Sequence, residues 1–333
     1  MRNNTSANIE KKRKLKRRRR RVKVGRLFVC LLLITVLLTG VGWGGYYVYQ
    51  WGTAVKGMYD QHQLQAEIKR KSQDQRFVNY TNILLLGLDE SDPQAEQAAR
   101  RADTIVLLSF DKVNGKVRFL SIPRDTLVTI PGRKSQETIN NAYCYGGAPL
   151  TQQVTGQLLN IAIHEYIVVD IKGMTALVDA LGGIDLYVED DMNYEDPAAE
   201  LAIHLHKGYQ HLSGDLAQQY LRFRSDDLGD LGRVHRQQRF IKAMYEKITR
   251  PDTLTKLPAA ADVMEQQVVT SLELNNVQQW LTVIRGLQTE HPAAGILPGS
   301  QGSGDSGWLP DQGRIAAQMQ EMFPETAVAN ENK

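Results

Sequence analysis

Residues 82–88 read Asn-Ile-Leu-Leu-Leu-Gly-Leu, an almost unbroken apolar run that closes on Asp89. Such a run, too short for a helix and without polar alternation, predicts a strand covered on both faces. A second run, 105–110, follows Arg101-Ala-Asp-Thr, and Val113-Asn-Gly-Lys is a hairpin turn signal into a third strand, 117–122. Pro123-Arg124-Asp125 closes that strand, and 127–130 predicts a short one. Helical spacing at 151–161, a strand at 166–171 and a helix at 174–181 stopped by Gly182-Gly183 come next. A strand at 184–188 precedes 190–211, which reads as irregular and holds His204, His206 and His211 as solvated loop residues. Helices are predicted at 215–221, 231–249, 258–270 and 275–288, and a last one at 312–322. Strands mixed with helices around one hairpin give an α/β fold, a mixed central β-sheet flanked by helices.

The pattern departs from its own logic in one stretch, Tyr220 to Gln238. Arg222 and Arg224, two apart in a segment that reads as extended, are expected to leave one face. Asp230 is the expected N-cap of the following helix, on which Arg233 and Gln237 align with Phe240 and Met244. Arginine on the stripe that faces the protein, near free helix-terminal amides, suits a multiply charged oxyanion such as a diphosphate. A salt-bridge network with Asp226, Asp227 and Asp230 accounts for the same residues equally well.

Charge divides the chain. Residues 1–26 hold 13 of the 40 basic residues and one of the 37 acidic ones, leaving the remainder at a net of −9. The uncharged run that follows, Leu27 to Tyr49, matches the roughly 20 residues needed to cross a hydrocarbon core, with Tyr46, Tyr47, Tyr49 and Trp51 as an interfacial belt. The apolar run is long, no convincing small-x-small cleavage site follows it, and it reads as an uncleaved anchor rather than a signal peptide. The basic cluster Lys11 to Arg21 then puts the N-terminus in the cytoplasm and the rest of the chain outside. As a topogenic or lipid-contacting signal it needs no nucleic acid partner. The expected layout is a basic tail (1–26), a transmembrane helix (27–50), a stalk (51–78), one extracytoplasmic domain (79–290) and a flexible Gly- and Ser-rich tail (291–333). Cys30 and Cys144 fall on opposite sides of this layout, so the fold does not rely on an internal disulfide.

Asp89, Asp103 and Arg124-Asp125 all stand at ends of apolar strands, the edge where open α/β sheets bind ligands. Each aspartate taken singly also fits a turn cap. Two carboxylates brought together there repel unless a cation lies between them, and Mg²⁺ suits carboxylate and phosphate oxygens.

Assembled in order, seven segments resemble the LytR-CpsA-Psr family of cell-wall assembly proteins over residues 80–250. They are 82–89, Arg101-Ala-Asp103-Thr104, Ser121-Ile-Pro-Arg124-Asp125-Thr126, Ile139-Asn-Asn-Ala-Tyr143 with Gly146-Gly147, Leu181-Gly-Gly-Ile-Asp185, Leu212-Ser-Gly214 with Ala217, and the stretch from Tyr220 to Gln238. The resemblance implies a phosphotransferase that takes a glycosyl phosphate from a polyprenyl-diphosphate-linked glycopolymer and passes it to a peptidoglycan hydroxyl at the cytoplasmic membrane. It also implies that Asp89 and Asp103 hold Mg²⁺, and that Arg124, Arg222, Arg224, Arg233 and Gln237 bind the diphosphate. Asp89, Asp103 and Arg124 are its expected catalytic residues. Two rival readings are a non-catalytic lipid- or polysaccharide-binding protein and an envelope-linked transcriptional attenuator. The second would need a DNA-reading module, and no helix-turn-helix pattern stands on the cytoplasmic side.

Overall fold

A computed structural model describes residues 77–88, 100–196, 201–223, 229–272, 292–302 and 307–324, and Tyr46 before them. The expected anchor at 27–50 (apart from Tyr46), the basic tail, nearly all of the expected stalk and the helix expected at 275–288 lie outside the described residues. No helix among the described residues is long and apolar enough to cross a membrane. Residues from Phe77 onward belong to a unit spanning Leu64–Lys333, separate from Met1–Gln63.

Strands Tyr80–Leu88 (β1), Ala102–Asp111 (β2) and Val117–Ile122 (β3) run antiparallel in succession. In the expected hairpin turn the Asp111 carboxylate accepts from the Val113 and Asn114 amides at 2.9 and 3.1 Å. Leu127–Thr129 (β4) pairs with Gln136–Thr138 (β5). Helix Asn141–Leu159 (α1) begins well before Thr151, because it passes through a kink at Gly146 and Gly147 that hid its first turn from the periodicity. Glu165–Asp170 (β6) lies parallel to β1, and Asp170 caps Ile171–Ala180 (α2) by accepting from the Gly173 amide at 2.8 Å.

The region expected to be irregular is a folded-back ribbon. Ile184–Val188 (β7) pairs with Gly208–Leu212 (β10), and Met192–Asp196 (β8) pairs with Leu201–Leu205 (β9). Its inward positions Ile184, Leu186, Ile203, Leu205 and Leu212 are buried, which is the alternation a half-covered ribbon needs. Gly214–Arg222 (α3), Gly229–Thr249 (α4) and Leu257–Gln267 (α5) pack on it with α2, forming a core around Val178, Leu181, Tyr220 and Phe240. Helix α5 stops short of its expected end, and the β-branched Val268–Thr270 (β11) pairs with β6 instead.

The segment expected to be a flexible tail is built into the fold. Ala293–Ile296 (β12) adds to the sheet beside β3, Gly299–Gln301 (β13) pairs with Trp308–Pro310 (β14), and Gln312–Met322 (α6) follows. The main sheet is therefore mixed, in the order β11-β6-β1-β2-β3-β12. One face, with Leu84, Leu86, Ile105, Leu107 and Leu120, packs on α1 and on Ile315, Met319 and Met322 of α6. Phe323 sets its ring edge-on against Phe77 and Tyr80 at 5.2 and 5.0 Å, so burial of these apolar side chains holds the C-terminal helix. On the other face, α4 crosses β3: Tyr245 meets Phe119 at 6.1 Å, and the Gln238 amide donates to Ser121 Oγ and the Gly295 carbonyl.

Candidate active site

Because β1, β3 and β6 point the same way and β2 opposes them, their ends share one edge with the start of β2. Leu88, Asp103, Arg124 and Asp170 stand there. The β1–β2 register slips at this edge, with Gly87 opposite Thr104 but Leu88 opposite Ala102, leaving Asp103 as an extra residue on β2. In a regular strand residues 102 and 104 share a face. Here Ala102 is buried in the α1–α6 core, while Thr104 Oγ1 accepts from Gln237 Nε2 of α4 at 2.7 Å. The bulge absorbs that reversal and turns the Asp103 carboxylate toward the arginines. Gly87 is required opposite it: a Cβ there would lie 2.8 Å from Thr104 Cβ.

Each oxygen of Asp103 is held by a different arginine. Arg124 Nη1 donates to Oδ1 at 3.0 Å, and Arg233 Nη2 donates to Oδ2 at 3.4 Å. The Asp103 and Arg233 side chains are 13% exposed and Arg124 is 29% exposed, so the cluster opens to solvent through Arg124. Two planar guanidiniums thus converge on one carboxylate at a partly desolvated strand end, with the fork geometry that suits carboxylate and phosphate oxygens.

The α4 arginines of the stretch from Tyr220 to Gln238 divide between two partners, and neither is one of the expected Asp226, Asp227 and Asp230. Arg233 and Gln237 face the sheet edge, as expected. Arg236, 3% exposed, instead donates from Nη2 to the Phe223 carbonyl at 2.6 Å and stands 3.9 Å from Glu189. Glu189 also accepts from Arg239 at 2.8 Å and from the Tyr220 hydroxyl at 3.0 Å. Burial pushes the Arg236 guanidinium below its usual range, and burial, with Glu189 adding to it, pushes the Tyr220 hydroxyl up. The salt-bridge partner is thus Glu189, just past β7, which no local signal marked.

Several expectations change. Arg222 is the last residue of α3 and not part of an extended segment, so strand alternation does not pair it with Arg224. Among the described residues Arg222 makes no ion pair or side-chain hydrogen bond, and the structure does not join it to Asp103. It sits beside Phe223, which Arg236 binds. Helix α4 already begins at Gly229, ahead of Asp230, the expected cap. Asp89, Arg224, Asp226 and Asp227 lie outside the described residues. Among the described residues no three His, Cys, Asp or Glu side chains converge as a metal site. His204, His206 and His211 are exposed on the ribbon beside Glu195, Asp191 and Asp185, consistent with solvated residues.

Residues 46–322 match the model of the LytR_cpsA_psr family. The chain belongs to that family. The match runs on through α6, past both residue 250, where the sequence resemblance was drawn, and residue 290, the expected end of the domain. Among curated LytR_cpsA_psr relatives, the polyisoprenyl-teichoic acid–peptidoglycan teichoic acid transferase TagU of Oceanobacillus iheyensis is 32% identical over 288 residues, covering 83% of this chain and 85% of that protein. TagU of Bacillus cereus is 31% identical over 252 residues, covering 74% of this chain and 79% of that protein. The crystal structure of Bacillus subtilis TagV superposes with a TM-score of 0.63 at 26% identity, covering 74% of this chain and 97% of that one. The mixed α/β architecture is the one these family structures have.

Proposed function

We propose that the chain is a membrane-anchored phosphotransferase that moves a glycosyl phosphate from a polyprenyl-diphosphate-linked glycopolymer, of the teichoic acid class its relatives are named for, to a peptidoglycan hydroxyl. The observation that carries this reading is Asp103 held between Arg124 and Arg233 at the strand-end edge. Phosphoryl transfer asks mainly for positioning and charge neutralisation. Arg124 and Arg233 bind and orient the diphosphate and offset charge growing on the leaving polyprenyl phosphate. Gln237 fixes the Thr104 side of the bulge, and Arg222 and Arg224 add to the donor set when the ligand is bound.

A hard divalent cation suits the chemistry of the Asp103 carboxylate at this edge, because one or two carboxylates with phosphate oxygens are the ligands Mg²⁺ takes. Asp103 and Asp89 would hold it, and when bound it supplies further neutralisation of the diphosphate. Both Asp103 oxygens already accept from arginine, so its part is to hold charge and not to take the acceptor's proton.

On the α4 side of the sheet, Ile83, Leu85, Leu108 and Ile167 are half-buried and lead toward Gly87 and Thr104. This apolar strip suits the polyprenyl chain, with its charged head at the bulge. An anchor at 27–50, N-terminus in the cytoplasm and domain outside, would keep the site beside its lipid substrate.

The test is incubation of the full chain in detergent with a polyprenyl-diphosphate-linked donor, Mg²⁺ and peptidoglycan. Polyprenyl monophosphate should appear together with polymer on peptidoglycan, and Arg124→Ala should slow both by roughly 100-fold, leaving a measurable residual rate. Donor binding without monophosphate would favour the non-catalytic binding protein.

A further inference from the structure

The turn that carries Arg124 is held at four consecutive carbonyls. Pro123 O accepts from the Thr126 amide at 3.0 Å and from Thr126 Oγ1 at 2.6 Å. Arg124 O accepts from the Asn140 amide at 3.1 Å, and Thr126 O from the Ile139 amide at 2.8 Å. The remaining carbonyl, Asp125 O, accepts from the Trp308 amide at 3.0 Å, across a parallel bridge between Thr126 and Trp308. That donor comes from β14, in a segment whose composition suggested no role. Gly307 makes the approach possible. Its φ is 78°, and a Cβ on it would lie 2.5 Å from Asp125 O, against backbone that cannot swing aside.

We propose that the β13–β14 hairpin is a positioning element of the active site, with Gly307 and Trp308 fixing the turn from which Arg124 reaches Asp103. The proposal rests on the phosphotransferase reading for its consequence, though not for its geometry. A side chain at 307 pushes on Asp125 O, and the displaced turn carries the Arg124 guanidinium away from where the diphosphate must sit. Misplacement on the order of 1 Å costs up to about 100-fold in such chemistry.

The experiment is a double-mutant cycle in the full chain, with Gly307→Ala, Arg124→Ala and both, read as kcat/KM for the lipid-linked donor. Gly307→Ala should lower kcat/KM by roughly tenfold or more alone, and by less than about twofold once Arg124 is alanine. Equal losses in both backgrounds would mean a merely structural role, and no loss in the wild-type background would equally overturn the proposal. Should Gly307→Ala fail to fold, Gly299→Ala disturbs the hairpin from inside, where a Cβ would meet Leu309 O and Trp308 Nε1. Its loss should likewise vanish without Arg124, while Leu309→Ala, on an exposed position of the same hairpin, should leave activity unchanged. The same cycle read as affinity for inorganic pyrophosphate separates the two failures. A chain that couples 307 to 124 in binding but turns over no donor refutes the transferase reading alone, and absent coupling refutes this one.

Discussion

Replacing Asp103 by asparagine should change anion affinity in opposite directions with and without a divalent cation. In the structure the carboxylate takes one bond from Arg124 and one from Arg233, both charge-assisted. The substituted amide would keep an acceptor for one arginine and lose the other bond, at a cost of about 2 kcal/mol, since hydrogen bonds to charged groups contribute roughly 1.5–3. Arg124 is 29% exposed, which keeps the loss below that of a fully buried pair. For a domain of this size Tm should fall by about 4–8 °C.

Removing the carboxylate also removes a charge that repels phosphate. At a separation of ~6 Å one unit charge contributes about 3 kcal/mol at an effective dielectric of 20 and about 0.7 in water. A half-open site lies between, so inorganic pyrophosphate should bind D103N roughly tenfold more tightly than wild type in EDTA. With Mg²⁺ the order reverses, because the variant lacks the oxygen that would share the cation, and donor turnover should be lost. Calorimetric titration of pyrophosphate into the full chain, in EDTA and then in Mg²⁺, checks both signs. Weaker binding by the variant in EDTA, or an intact Mg²⁺ response, would refute the account of Asp103 as the charge shared between arginines and metal.

Other perturbations address the frame around the site. Arg236→Met leaves the Phe223 carbonyl without its charged donor and should cost about 2 kcal/mol in stability, read as a lower denaturant midpoint. Ending the chain after Asp311 strips Ile315, Met319, Met322 and Phe323 from the core, at roughly 1.5–3 kcal/mol each. That total rivals the whole 5–15 kcal/mol of an ordinary domain, so near-UV circular dichroism should show no fixed tertiary packing. His164 is held below its usual pKa by burial, with Lys112 adding to it, and its Nδ1 accepts from the Asn82 amide at 3.0 Å. The unfolded chain therefore takes this proton first, and stability that is intact above about pH 6.5 should decline as pH falls toward the lower folded value. His164→Gln should flatten that part of a urea-midpoint profile against pH.

What the sequence made legible is what its local chemistry determines. The runs at 82–88, 105–110 and 117–122 and the Asn-Gly turn place three strands and, through their directions, the edge where Asp103 and Arg124 meet. What stayed hidden depends on partners distant in the chain. The glycines and serines of 295–307 have the composition of a linker, yet Gly307 is there because the Asp125 carbonyl passes too close for any side chain. Composition cannot separate a glycine chosen for freedom from one chosen for contact. Arg233 and Arg236 stand three apart on α4, and only Asp103 on one side and Glu189 on the other decide which serves the site and which the scaffold. The ribbon at 184–212 carried its alternation in Leu201, Ile203 and Leu205, which the polar stretch before it obscured.

The bulge at Asp103 is the sharpest case, because nothing in Arg101-Ala-Asp-Thr distinguishes a regular strand from one with a residue to spare. Had β2 kept its register, Ala102 and Thr104 would share a face, and either the α1–α6 core would lose Ala102 or Gln237 would lose Thr104. One inserted position satisfies both packings and leaves Asp103 unpaired in the ladder, free to face the arginines. The acidic group of the site is thus a product of how two layers are reconciled across one sheet. The proposed activity should therefore be sensitive to Gly87 and Thr104, which set the bulge, as well as to Arg124 and Arg233.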